Sequence, residues 1–292
     1  MLTLWQRIPV ILKAVLSGAL VAIVGTVTWA LLVKANLKWI PQIPWSLIPA
    51  SFLLWIYWMY LNGRGWPRAT SELRKRNLRA HALSDNVWAS AILAGIIGLV
   101  ALLLFMRMMN RMIRLPQQQL TASDPIPAVT LIFLLLMGSV VAGVVEEAAF
   151  RGYMQGPIEK RHGPVIAILI TGVFFGFAHF SHPETTIALM PFYVGVAAVY
   201  GMMTYLTNSI LPAVVLHAAG DVFGGLALVT SGQSEWQASS KPEPLIWESG
   251  TDYSFWLSCI LFIISFIGTV WAFKSLAAVV QQTASDGESQ TF

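Results

Sequence analysis

Residues 127–151 read PAVTLIFLLLMGSVVAGVVEEAAFR, and the end of this stretch decides what kind of protein the chain is. From Ala128 to Val145 it is apolar apart from Thr130, Ser139 and two glycines. About 20 mainly apolar helical residues cross the ~30 Å hydrocarbon core of a bilayer, so the stretch reads as a membrane span. Yet it carries Glu146, Glu147 and Arg151. A charge at the centre of a span costs about 2.5–3.5 kcal/mol on insertion scales, which makes such residues functional candidates. Glu147 and Arg151 stand four apart and can pair on one helix face. Adjacent helical positions point about 100° apart, so Glu146 and Glu147 are expected to have different roles and different partners. A structural ion pair accounts for Glu147 and Arg151; Glu146, left to face elsewhere, is the carboxylate expected to act.

The rest of the chain agrees with a membrane reading. Of 292 residues, 56% are hydrophobic and 11% charged, against about 25% charged in soluble domains. Eight apolar stretches reach span length: 12–33, 43–61, 87–106, 127–151, 164–181, 186–206, 209–229 and 253–280. The expected fold is an all-α polytopic transmembrane bundle, with seven spans as the alternative because the fifth stretch is short and rich in glycine. The first apolar run, Ala14 to Val33, exceeds a signal-peptide core of about 7–15 residues and reads as a retained span. The expected layout is an N-terminal membrane region (1–126), a catalytic core (127–229), and a polar loop, last span and disordered tail (230–292).

With both termini inside, twelve of the 18 Lys and Arg residues lie on the cytoplasmic side, the expected bias. Arg107, Arg111 and Arg114 run against it as an external basic group. The net charge of +4 therefore suits helix ends at a membrane, with no nucleic-acid partner implied. Arg74-Lys75-Arg76 and Arg79, interleaved with Leu73, Leu78 and Leu83, read as an interfacial segment lying against anionic lipid. Trp236 and Trp247 in the polar loop suit an aromatic belt. Cys259 is the sole cysteine, so there is no intrachain disulfide and no Cys-based metal site. No P-loop, dinucleotide fingerprint or HExxH motif occurs.

Two further spans carry histidines or carboxylates. Phe175-Gly176-Phe177-Ala178-His179 ends the fifth, and His182 follows in the polar turn Ser181-His182-Pro183-Glu184, where exposure is expected. His217-Ala218-Ala219-Gly220-Asp221 puts an imidazole and a carboxylate on one face of the seventh. There Asp221 is expected to accept from one ring nitrogen and fix the tautomer of the other. If Glu146, His179, His217 and Asp221 converge, three spans supply the groups of acid–base chemistry. Span counting puts His179 near the outer end of its helix and Glu146 nearer the inner side, so convergence requires tilt or kinking, for which Gly172 and Gly176 are candidates.

In this order, Glu146-Glu147-xxx-Arg151, Phe175-xxx-His179 and His217-xxx-Asp221 resemble the three signature motifs of the CAAX protease and bacteriocin-processing family (CPBP, also called Abi), the type II CAAX prenyl endopeptidase-like group. The resemblance spans roughly Pro127 to Gly225. It implies an all-helical intramembrane endopeptidase hydrolysing a peptide bond near the membrane. By the same resemblance Glu146 and His179 would activate the water, His217 and Asp221 would assist the oxyanion, and Glu147 and Arg151 would hold the site together. Some members carry Asn where this chain has Asp221. An ionised Asp cannot donate a hydrogen bond, so Asp221 is expected to orient His217 or to be protonated. A mechanism without metal is favoured; the alternative makes Glu146, His179 and His217 three ligands of a zinc with an open fourth position. The expected partners are membrane lipids and a peptide or protein substrate, with prenylated proteins one candidate, and the expected location is a bacterial inner membrane. Two other classes compete: a proton-coupled transporter, since buried carboxylates and histidines also relay protons, and a non-catalytic adaptor or immunity protein on the same fold.

Overall fold

The computed structural model describes residues 8–114, 126–179, 183–231 and 244–289, and their side chains except for 183–186, 228–231 and 287–289. His182, Trp236 and Lys241 lie outside the described residues. Among the described residues the chain is helical, with no strand. The helices are α1 (Val10–Trp39), α2 (Leu47–Leu61), α3 (Ser71–Leu78), α4 (Asp85–Met112), α5 (Ala128–Glu146), α6 (Gly156–His162), α7 (Pro164–Ala178), α8 (Pro183–Thr207), α9 (Leu211–Ser231), α10 (Ile246–Ser249) and α11 (Tyr253–Ser289). Between α5 and α6 the backbone winds as a π-helix, Glu147–Gln155. Proline marks several starts: α1 follows Pro9, α5 follows Pro127, and α7 and α8 begin on Pro164 and Pro183. Its missing N–H is no loss there, because the first helical amides have no partner within the helix.

Among the described residues five helices are long and apolar enough to cross a membrane: Val10–Trp39, Asp85–Met112, Ala128–His162, Ile187–Thr207 and Tyr253–Asp286. Three shorter apolar helices, Leu47–Leu61, Pro164–Ala178 and Leu211–Ala227, occupy the remaining expected spans. The protein is an all-α, multi-pass membrane bundle. One boundary moves. The tail expected to be disordered from Gln281 continues α11 to Ser289, as Gln281, Gln282 and Ala284 are acceptable helix formers.

The chain divides into two units that interleave along the sequence. Unit 1 is Met1–Ala80, Leu120–Ala167 and His217–Val222; unit 2 is His81–Gln119, Ile168–Leu216 and Phe223–Phe292. In unit 1, α1 packs along α5 and the π segment. Gly152 makes the approach of α3 possible, since a Cβ there would meet the Asn77 carbonyl oxygen at 2.7 Å. Gly163 turns the chain between α6 and α7 at φ +82°, a conformation open to glycine.

The basic segment differs from the sequence expectation. Only Lys75 and Arg76 of its cluster face outward; Arg74 and Arg79 are buried. Arg74 donates to the carbonyls of Tyr60 (2.8 Å), Pro67 (2.9 Å) and Arg64 (3.1 Å), and lies 4.3 Å from the centroid of the Tyr60 ring. Arg79 forks onto Glu159, both oxygens at 3.2 Å. The loop after α2 needs donors for its carbonyls, and a guanidinium supplies five in a planar fork.

In unit 2, α4 and α11 form the largest helix pair. Val199, Tyr200, Met203, Ala213 and Leu216 form a core with Leu99 and Leu102 against it. Gly172 and Gly176 serve close packing here. A Cβ would sit 3.0 Å from the Ala197 Cβ at the first and 2.6 Å from the Met190 sulfur at the second. Two of the three arginines expected on the outer side are ion-paired within the unit. Arg111, buried, donates to Pro244 O and to Asp252 (both 2.9 Å), Arg114 pairs with Glu248, and Arg107 donates to Ser254 (2.9 Å).

Candidate active site

Unit 1 holds five of the six residues singled out from the sequence. Glu146 is the last residue of α5, and Glu147 opens the π segment. Every residue of that segment, EAAFRGYMQ, is buried. A π-helix bonds i to i+5 and occurs mostly as short bulges, frequently at functional sites. Its small residues Ala148, Ala149 and Gly152 admit the surrounding helices closely, which is how two charges come to be sealed in.

Glu147 and Arg151 are 0% exposed, and the carboxylate lies 3.3 Å from the guanidinium Nε. The same carboxylate accepts from His217: Oε1 stands 2.8 Å from Nδ1. With Glu147 ionised, that nitrogen must carry the proton, since a carboxylate only accepts. Glu147 therefore bridges Arg151 to His217 through its two oxygens.

The other ring nitrogen faces the remaining carboxylates. His217 Nε2 stands 3.8 Å from Glu146 Oε2 and 3.7 Å from Asp221 Oδ2. These two carboxylates are more open, with side chains 21% and 31% exposed, against 9% for the imidazole between them. The cluster thus has a closed side, Glu147 and Arg151, and an open side, Glu146, Asp221 and Nε2.

Two sequence expectations are corrected by this geometry. Glu146 and Glu147 do share a partner, because an imidazole presents nitrogens on two edges and can meet both carboxylates despite their divergence. The orienting partner of His217 is Glu147 at hydrogen-bond distance; Asp221 stays at 3.7 Å. Four-residue spacing brought Asp221 near the ring, but the shorter contact comes from 70 residues away in sequence. No sequence signal marks the π winding. The double duty of Glu147 was accessible in principle, since a carboxylate with two oxygens can serve an arginine and a histidine at once.

His179 belongs to unit 2, where it follows the last residue of α7. Its Nδ1 is 2.8 Å from the Phe175 carbonyl one turn back. The ring stacks on Tyr193 of α8, centroids 4.6 Å apart at 22°, and meets Phe175 edge-on at 4.8 Å. Tyr193, invisible in the motif, fixes the imidazole plane. Nδ1 is thereby engaged with the backbone.

Among the described residues no group of three or more His, Cys, Asp or Glu side chains is arranged to hold a metal ion.

One buried and two half-open carboxylates around an oriented imidazole, among helices long enough to cross a membrane, are groups suited to acid–base chemistry. Residues 128–223 match a family model, described as Type II CAAX prenyl endopeptidase Rce1-like. The match covers about a third of the chain and supports a likeness to the CAAX protease family, and so an intramembrane endopeptidase of that type in general. All six motif residues fall inside it. No curated protein and no solved structure matches the chain.

Proposed function

We propose that the protein hydrolyses a peptide bond of a membrane-associated substrate with Glu146 as general base. The observation that carries this is the polarised cluster: His217 tethered through Nδ1 to a sealed Glu147, its Nε2 turned to the more open Glu146 and Asp221. Glu146 takes a proton from water as the water oxygen bonds to the carbonyl carbon. The carbonyl π electrons move to oxygen. Collapse of that oxyanion breaks the C–N bond, and Glu146 returns the proton to the departing nitrogen. A positioned acid–base group of this kind contributes about 10²–10⁴-fold.

His217, when both ring nitrogens are protonated, donates from Nε2 to the developing oxyanion, the interaction that preorganised donors make worth most. Asp221 acts through His217 from its place beside Nε2; in its protonated form it would itself donate. Glu147 is a positioning residue, since it fixes the ring and is closed off from substrate. The family resemblance adds His179 as a second group activating the water. The proposed chemistry uses the chain's own side chains and no cofactor.

The test is cleavage by the purified, detergent-solubilised protein of a fluorogenic prenylated CAAX peptide beside unmodified transmembrane peptides. Each is run with and without a strong zinc chelator, against Glu146→Ala and His179→Ala. Cleavage that survives chelator and disappears in Glu146→Ala supports the proposal. Loss with chelator would make Glu146, His179 and His217 metal ligands instead. Solute flux without cleavage would favour the carrier reading, and neither activity the adaptor.

A further inference from the structure

A cavity of about 250 Å³ lies in unit 1, walled by α1, α2 and α5. It runs along α2 from Ala50 to Tyr60, on the order of 15 Å at the helical rise. Its lining is mainly apolar, and two of its hydroxyls are already used. Tyr57 donates to the Val21 carbonyl at 2.9 Å, and Thr28 to the Val24 carbonyl at 2.7 Å. A wall with few polar groups to offer holds an apolar chain better than water. Val24, Leu53 and Ile56 line it and are exposed, so it opens on the same apolar flank as Leu20, Val27 and Phe52. In a membrane protein that flank meets lipid.

The Tyr60 end has a second feature. Arg74 sits over the Tyr60 ring and gathers the carbonyls of Arg64, Gly65 and Pro67 around itself. This anchors the loop after α2 beside the cavity wall. The loop's outward side chains are Arg64 and Arg68, with Lys75 and Arg76 following on α3, all exposed and none in an ion pair among the described residues. Trp66, 86% exposed between the two arginines, suits the headgroup layer. Arg74 and Arg79 are consumed inside the protein, so these four cations are a separate set.

An apolar slot along a helix and a cluster of free cations at its end are complementary to the two halves of one molecule. We infer that this cavity binds a single anionic phospholipid, an acyl chain in the slot and the headgroup phosphate on Arg64 and Arg68. The inference is independent of the endopeptidase reading, because the cavity shares no polar residue with the carboxylate cluster.

The test reconstitutes the full chain into vesicles of equal phosphatidylglycerol and phosphatidylcholine with identical acyl chains. The protein is re-extracted in mild detergent, and bound lipid is counted by native mass spectrometry. The expected result is one retained phosphatidylglycerol per chain, favoured about tenfold or more over phosphatidylcholine, as attraction of about 1 kcal/mol per basic residue allows. The double reversal Arg64→Glu with Arg68→Glu abolishes the preference. Val24→Trp fills the slot and abolishes retention of both lipids; should that variant lose its helical circular dichroism, Leu53→Trp takes its place. Equal retention of the two lipids by the unaltered protein, or retention unchanged by the filled slot, overturns the inference. So does one-for-one displacement of the lipid by a farnesylated peptide, which would give the slot to substrate.

Discussion

Two clusters of charge, one in each unit, balance their cations in opposite ways. In unit 1, Arg151 and Glu147 are fully enclosed and His217 is the carboxylate's other partner. In unit 2, Arg111 is enclosed but its partner Asp252 is 53% exposed, and Arg114 and Glu248 are both open. The first arrangement takes two ions fully out of solvent, an expense that good geometry only partly offsets. The second keeps the anions wet at the end of a membrane helix, where pairing is worth little. A fold in need of rigidity alone would use the second kind. The enclosed cluster makes sense as the fixed back wall of a site whose front, Glu146 and Asp221, stays more accessible.

The largest effect should separate front from back within that cluster. Glu146→Ala is expected to lower peptide cleavage about 10²–10⁴-fold with an unchanged thermal unfolding midpoint. Cleavage rate and unfolding measured on one preparation check this; unchanged cleavage would remove Glu146 from the mechanism. Arg151→Ala is expected to do the reverse damage, destabilising by about 3–5 kcal/mol because a sealed carboxylate loses its cation. The double variant Glu147→Gln with Arg151→Met should unfold at a higher temperature than Arg151→Ala alone. If the double variant is the less stable, the cost lies in packing and the contrast with unit 2 loses its basis.

The sequence showed the charges plainly and their geometry hardly at all. Eight apolar stretches located the helices because lipid imposes a length and an apolar composition that composition alone reveals. The motif residues were legible because ionisable groups are conspicuous among Val, Leu and Gly. Hidden were the π winding after Glu146, the 2.8 Å bond joining Glu147 to His217, and the stacking of Tyr193 on His179. The bond joins residues 70 apart in sequence and the stack joins two helices, which periodicity cannot report. The basic segment erred the same way: a run of Arg and Lys looks uniformly exposed, but Arg74 turns inward to satisfy loop carbonyls. Its replacement sharpens the comparison, since Arg74 is enclosed without a carboxylate. Arg74→Ala is expected to cost about 2 kcal/mol, between the two clusters, as charged donors to backbone oxygens are lost; chemical unfolding in detergent measures it.

The smallest effect belongs to Asp252 and is best seen through pH. Its carboxyl is held below the usual carboxylate range, first by the Phe255 backbone N–H at 2.8 Å and then by Arg111. A group whose folded pKa is depressed stabilises the fold above its unfolded pKa, about 3.9 for Asp, and loses that contribution as pH falls through the lower folded value. The midpoint difference between the unaltered protein and Asp252→Asn should therefore be constant from neutral pH down to about 4 and shrink below it. The difference should also diminish with added salt, because the carboxylate faces water. A difference that grows on acidification would mean that the clasp is not carried by the ionised carboxylate. No difference at any pH would assign the stabilisation to capping of α11 by either side chain, through the Phe255 amide. Only the expected profile keeps this end of α4 a wet, titratable contact, set against a cluster in unit 1 that has traded solvent for fixed geometry.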